Sequence, residues 1–385
     1  MSKSMTGRER LLVAIRHQEP DRVPVAPRIW AYLIPYYGSG GWPQVLRATR
    51  EFSFDFCEPL ACPLRNFMEA TFGQGSLSPE VQLKQEVDEE AGAVTVRRRF
   101  ETPAGPLTDE TWIPPNGREY GISPSPHKRE HLLKETDDLA RIGVLLTPPE
   151  TMIFIEYHTV EGIVGEAGFP ELTINPPIDH FLGDARGLDQ LMLDYYLDRS
   201  FFDAMLAFFE ACAMQVLERA LEQGVRYIFD TWYYSSLSAG WSPAIFRECF
   251  TPLIRKHAEL VHRYDGIYHV YDDGKMMGTL GEYVGAGADV IETLTPPPVG
   301  DVDLAEAKRL YGDKTCLKGY IGLLYVLKHG TPELVDQSVR EAIAVAVPGG
   351  GFIIGTSDSI RDGTPEANVR AYFAAAHRYG AYQHV

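Results

Sequence analysis

Cysteine is scarce in this sequence: five residues, at 57, 62, 212, 249 and 316, among 385. None forms a Cys-x-x-Cys pair, and an odd, scattered set argues against a disulfide framework and for a reducing, cytoplasmic compartment. Long apolar runs are missing too. No stretch of about 18 apolar residues occurs, so no membrane span is expected. The most apolar late stretch, 342–354, is cut by Pro348 and by glycines at 349–351. No apolar core of the signal-peptide kind follows the N-terminal residues. Basic residues are in deficit: Lys+Arg is 36 against 53 Asp+Glu, a net charge of −17. That balance excludes broad attraction to nucleic acid or an anionic membrane surface and leaves room only for a local basic pocket. Internal repeats and low-complexity segments are absent.

Hydrophobic residues at 45% and charged residues at 23% place the chain among ordinary globular proteins and exclude a disordered or fibrous one. Short apolar runs alternate with helical segments. Thr6 and Glu9 fit a capping box ahead of a stripe of Leu11, Leu12 and Ile15, and Pro20 stops that helix. Strands are predicted at 23–26, 52–57, 163–166, 225–230, 267–271, 289–292, 315–320 and 351–356. Ser242-Pro243, Thr331-Pro332 and Thr364-Pro365 read as N-caps followed by proline at the first helical position. Eight strands, each followed by helix, imply parallel pairing through right-handed crossovers. The expected fold is α/β, a single-domain (β/α)8 barrel over residues 1–385, with an open doubly wound sheet as the rival.

Residues 80–120 break the alternation. Val94, Val96, Arg98 and Phe100 alternate with Thr95, Arg97 and Arg99, and 88–92 and 103–106 read as turns. This predicts β-hairpins inserted between strands two and three, forming a lid over the barrel mouth or an arm between two copies of a homodimer. Arg97, Arg98 and Arg99 are expected on a solvated strand face.

In such barrels the active site sits at the C-terminal strand ends. That rule selects Arg28, Trp30 and Tyr32 after strand one, Glu166 after strand three, Asp230 after strand four and His269 on strand five. It also selects Glu292 after strand six, Lys318 and Tyr320 on strand seven, and Ser357 after strand eight. His269, with Asp272 or Asp273 and Glu292, supplies nitrogen and oxygen donors suited to zinc or another divalent ion. The competing reading has the acids capping helices and His269 in a satisfied core hydrogen bond. His269, Asp230 and Glu166 are the candidate catalytic groups. Asp230 equally fits a strand-end aspartate that holds backbone amides. Arg28, Trp30, Tyr32, Trp232, Tyr233, Tyr271, Lys318, Tyr320 and Ser357 are the candidate substrate contacts, several of them an aromatic wall. Cys57 and Cys62 read as buried thiols rather than ligands. Gly349-Gly350-Gly351 precedes a strand instead of opening a helix and so reads as a turn, not a phosphate loop.

The segments Arg8-Glu9-Arg10-Leu11-Leu12 and Glu19-Pro20-Asp21-Arg22-Val23-Pro24-Val25, together with Gly350-Gly351-Phe352-Ile353 and Asp362-Gly363-Thr364-Pro365-Glu366-Ala367-Asn368-Val369, resemble the uroporphyrinogen decarboxylase superfamily. So does the stretch 242–250. The resemblance implies a (β/α)8 barrel and two chemistries. Decarboxylases of that kind carry an arginine-rich segment after strand one, where this chain has the single Arg28 in 27–32. Methyltransferases of that kind hold zinc through a His-x-Cys pair and a later Cys, where this chain has His269, Tyr271 and Asp273, then Thr356 and Ser357. The resemblance therefore implies a metal-assisted methyltransferase or demethylase with an oxygen-rich site (His269, Asp273, Glu292), acting on a methoxylated or methylamine-type small molecule. Its cobalamin would arrive on a separate corrinoid protein, since no Asp-x-His-x-x-Gly motif lies in the chain. The alternative it implies is a cofactor-free decarboxylase of uroporphyrinogen or another carboxylic acid.

Overall fold

The computed structural model describes residues 4–63, 77–115 and 126–382. The chain folds into two compact units, one made of Met1–Cys62, Phe154–Ile174 and Ala220–Val385, the other of Pro63–Ile153 and Asn175–Arg219.

The first unit is built on a seven-stranded, wholly parallel sheet. Its strands are β1 (Phe56–Leu60), then β6 (Gly168–Ile174), β7 (Tyr227–Thr231), β8 (Ile267–Tyr271), β9 (Val290–Thr293), β10 (Cys316–Ile321) and β11 (Phe352–Thr356), paired in that order. Strands such as Tyr227–Thr231 and Phe352–Thr356 are buried along their whole length, as expected where both faces of a parallel sheet are covered. The helices between them use most of the expected punctuation; Thr364 is the exception, since the helix Glu366–Tyr379 has Pro365 at its N-cap position and no side-chain cap. Thr6 and Glu9 close a reciprocal capping box, and Ser242 and Thr331 accept from the amides of Ile245 and Leu334.

The predicted first strand, 23–26, forms a single ladder bridge, Val25 with Ile354, rather than a full strand. It nonetheless bonds to the edge strand β11 and to Asp55, the residue before β1. Ala26 N–H donates to Ile354 O at 2.9 Å, Ile354 N–H to Pro24 O at 2.9 Å, and Asp55 N–H to Val25 O at 2.7 Å. The predicted third strand is a correction. Residues 163–166 are the end of the helix Ile155–Val164 and the turn Gly165–Ala167, and the strand begins at Gly168. The buried positions Tyr157, Val160 and Val164 fall three and four apart, the period of a helix and not of a strand.

The second unit carries a four-stranded antiparallel sheet of β2 (Gln82–Glu90), β3 (Ala93–Thr102), β4 (Gly105–Ile113) and β5 (His127–Glu130). In sequence it lies between β1 and β6. The end of the predicted 80–120 ribbon, from 116, falls outside the described residues. Val96, Arg98 and Phe100 are buried while Arg97 and Arg99 are exposed, so the arginine run does not share one solvated face. Arg98 forms a buried pair with Asp109, its Nε 2.8 Å from Oδ1, and Lys128 joins Asp109 at 2.5 Å. One helix, Arg199–Glu222, is long and apolar enough to cross a membrane by length and composition, which the sequence reading did not anticipate. Half of its most apolar window is buried within the protein.

Candidate functional site

Ladder register decides which side chains meet. Phe229 is level with His269, Tyr271 with Glu292, and Glu292 with Lys318, so these residues project from one face of the parallel sheet. Thr173 is level with Phe229, which puts Glu171, two residues earlier on β6, on that same face. Cys57 and Arg28 complete the group, and Arg28, Cys57, Glu171, His269, Glu292 and Lys318 are all buried.

The contacts form one network. Arg28 sends Nη2 to Glu292 Oε2 at 2.6 Å and to Glu171 Oε2 at 3.3 Å, and Nη1 to the Cys57 carbonyl at 3.2 Å. Its guanidinium also lies 4.4 Å from the Phe229 ring centroid. His269 Nδ1 is 2.5 Å from Glu171 Oε1. Its Nε2 lies 3.2 Å from Glu292 Oε2 without the geometry of a hydrogen bond. Lys318 Nζ is 3.0 Å from Glu292 Oε1 and 3.7 Å from Cys57 Sγ.

The electrostatics follow from sealing charges away from water. Burial alone would raise the Glu171 carboxyl, but His269, Arg28 and Lys318 outweigh it and hold it down to about 2. Glu292 is likewise held well below the usual carboxylate range by Arg28, Lys318 and His269, against burial. Burial opposes the Arg28 charge, yet Glu292, Glu171 and Glu58 keep the guanidinium firmly protonated. Burial and Arg28 oppose the Lys318 charge, but Cys57, Glu292 and Glu171 raise its ammonium above its ordinary value. Two cations thus balance two carboxylates. Burial pushes the Cys57 thiol up, and it lifts Glu58 to about 7 against Arg28 and Lys318.

Within this network Cys57, Glu171 and His269 each bring a ligand-type atom to within 4.8 Å of the other two. Sulfur, oxygen and nitrogen donors on three strands suit zinc, and a thiolate with a carboxylate matches a divalent charge. His269 Nε2, buried beside Glu292 Oε2 but outside hydrogen-bond geometry, is a nitrogen of the kind a metal takes. The residues therefore fit a metal, with a ligand set that differs from the one expected from the sequence. Of that expected set, His269 and Glu292 lie in the cluster. Asp273 sits beyond it, next to Asp358, with its carboxyl pushed up to about 6 by burial and by that neighbour.

Several residues selected by the strand-end rule lie elsewhere. Asp230 is on the opposite face of β7, where its Oδ2 accepts from Tyr268 Oη at 2.5 Å and meets His257 Nδ1, on the helix Thr251–Arg263, at 2.7 Å. Trp232 belongs to the same network, its indole N–H donating to Tyr268 Oη at 3.0 Å. Glu166 is at the N-terminal side of β6, accepting from Thr6 Oγ1 at 2.9 Å. Trp30 and Tyr32 stand on the helix Trp30–Tyr37; Trp30 is exposed, and Tyr32 stacks on Tyr36. Tyr320, at φ 86° after Gly319 at φ 123°, lines an outer crevice with Leu304 and Ala342 instead of the inner face. Tyr271 stays on the inner face, between Phe229 and Tyr233, and donates to Asp358 Oδ1 at 3.1 Å. The Ser357 hydroxyl accepts from the Leu323 amide.

Glu171 and Cys57 were missed for different reasons. The strand that carries Glu171 contains Pro170, which counts against a strand in sequence. The partners of Cys57 come from remote strands, so no local spacing announces them.

The profile of the family described as Uroporphyrinogen decarboxylase (URO-D) matches residues 182–379, about half of the chain. No curated protein matches the sequence. Among solved structures, a methyltransferase from Methanosarcina mazei is similar over 97% of this chain and 99% of its own, with TM-score 0.61 and 17% identity. At that identity the likeness speaks for the fold. A protein from Listeria monocytogenes described as a vitamin-B12-independent methionine synthase covers 59% of this chain and 70% of its own at 14% identity, with TM-score 0.38. A D-psicose 3-epimerase from Clostridium cellulolyticum H10 covers 60% and 84% at 14% identity, with TM-score 0.37. Neither of these two is close enough to bear on the site.

Proposed function

The chain belongs to the uroporphyrinogen decarboxylase family, and on that premise we propose that it is an enzyme whose working centre is the buried Cys57–Glu171–His269 cluster. The reaction is metal-assisted methyl transfer or demethylation of a small methylated substrate, with a separate corrinoid protein as methyl acceptor. The observation that carries this reading is the convergence of three different donor types within 4.8 Å on one buried face. In the same reading, the segment 23–26 is taken as the eighth stave of a (β/α)8 barrel, a reading supported by its hydrogen bonds to Ile354 on β11 and to Asp55 just before β1.

Cys57, Glu171 and His269 would hold a divalent ion, which would supply Lewis acidity at the substrate. The protein's own residues do the rest. Glu171, bonded to Nδ1, fixes the orientation of the His269 ring and leaves Nε2 as the nitrogen that a metal would take. Arg28 and Lys318 pin Glu292 and hold the pocket near neutrality, so that a thiolate at Cys57 has Lys318 as its nearest positive charge. Phe229 and Tyr271 form an aromatic wall on the same face.

The presence of Arg28 and Lys318 favours a second reading, decarboxylation of a carboxylic acid that displaces Glu292 from one of them. The two readings separate in one assay. Purified protein is given methylated amines and ethers with cob(I)alamin as acceptor, alongside His269→Ala. Methylcobalamin formed by wild type and lost in the variant is the expected result. Carbon dioxide released from a carboxylic acid, with no methylcobalamin from any donor, would overturn the methyl-transfer reading.

A further inference from the structure

Beyond the C-terminal ends of β8 to β11, the first unit holds a cavity of about 240 Å³. Pro297, Leu323 and Tyr325 give it an apolar wall, and Asp273, Asp358 and Arg361 give it charge. Asp358 is fully engaged. Its Oδ1 accepts from the Tyr271 hydroxyl at 3.1 Å and the Ser359 amide at 2.5 Å, and its Oδ2 is paired with Arg361. Asp273 is not: Oδ1 accepts from the Gly274 amide at 3.0 Å, and its second oxygen has no hydrogen bond among the described residues. The cavity thus holds two carboxylates against one guanidinium, and its surplus negative charge belongs to Asp273. The upward displacement of the Asp273 carboxyl agrees with an unbalanced, half-desolvated site.

From this geometry we infer that the cavity binds a compact methylated ammonium ion, seated on the proline–leucine–tyrosine wall and balanced by Asp273. The charge excludes anionic substrates. A methylated ammonium offers charge and apolar methyl surface with few hydrogen-bond donors, and it calls for one carboxylate and an apolar or aromatic wall rather than a ring of directed acceptors. A metal ion stripped of its water would need several more oxygen ligands than Asp273 offers. Tyr271 couples the cavity to the cluster, since its hydroxyl holds Asp358 while its own strand carries His269 two residues earlier. That the ammonium is methylated rests on the methyl-transfer reading; that the ligand is a cation does not.

The test is calorimetric titration with choline and with its neutral carbon isostere, 3,3-dimethylbutan-1-ol, on wild type, Asp273→Asn and Asp273→Glu. The expected result is that choline binds wild type and the isostere at least about tenfold more weakly. Asp273→Asn should lose about tenfold in choline affinity, and Asp273→Glu should keep it. Equal binding of choline and the isostere, no choline binding to wild type, or unchanged affinity in Asp273→Asn would overturn the inference. Binding is read without turnover. Choline that binds and is never demethylated would count against methyl transfer alone, whereas methyl transfer from an ether with no choline binding would count against the cation site alone.

Discussion

At Asp273 the direction of the pH dependence is set by a carboxyl displaced upward to about 6, by burial first and by Asp358 second, against the Gly274 amide and Arg361. An acid raised in the folded state favours its protonated form there. Its contribution to stability is fullest at low pH and is lost as pH rises from the unfolded value, about 3.9, through about 6. Cation binding runs the other way, because only the ionised carboxylate attracts. Choline affinity should fall as pH drops below about 6, and Asp273→Asn should flatten that limb, both read by titration at several pH values. Asp230 makes the contrasting case. It ends a strand and looks catalytic in sequence, yet it faces His257 and Tyr268 behind the sheet. Asp230→Ala would leave a buried imidazole and phenol without their acceptor, which should cost about 3 kcal/mol. A lowered Tm with metal content intact is the expected outcome; loss of metal with unchanged Tm would move Asp230 back into the site.

Whole elements were legible where composition and punctuation agreed. Strand 267–271 falls where predicted, and β7, β9, β10 and β11 start and end within two residues of expectation, whereas the strand expected at 52–57 opens at the end of the helix Trp42–Phe52 and β1 itself runs Phe56–Leu60. The exceptions have local causes. Pro170 hides β6, and the β-branched residues of Ile155–Val164 imitate a strand although their buried positions keep helical spacing. With β6 misplaced by a few residues, Glu166 was selected at the wrong end and Glu171 was not selected at all. On β10, Tyr320 breaks the alternation because Gly319 and Tyr320 both have positive φ, which no periodicity reports. A Cβ at Gly319 would stand 2.1 Å from the Thr293 carbonyl oxygen. Gly319→Ala should therefore prise β10 from β9, pull Lys318 away from Glu292 and cost more than about 2 kcal/mol. Chemical denaturation checks this, and a variant as stable as wild type would contradict the register described for β9 and β10.

On the scale of the whole molecule, a net charge of −17 surrounds a buried cluster whose cations are already matched. A substrate with many carboxylates is repelled outside and finds Arg28 committed inside, so uroporphyrinogen turnover should be negligible. Coproporphyrinogen formed at a rate usual for a dedicated decarboxylase would contradict that. The central claim is that Cys57, Glu171 and His269 form a metal site and that Asp273 does not belong to it. Zinc stoichiometry, measured by plasma mass spectrometry after zinc loading and dialysis, tests it on wild type, Cys57→Ala, His269→Ala and Asp273→Asn. About one zinc per chain in wild type and Asp273→Asn, with most of it lost in the other two, is the result predicted. Wild type without zinc, or zinc lost in Asp273→Asn and kept in Cys57→Ala, would contradict it.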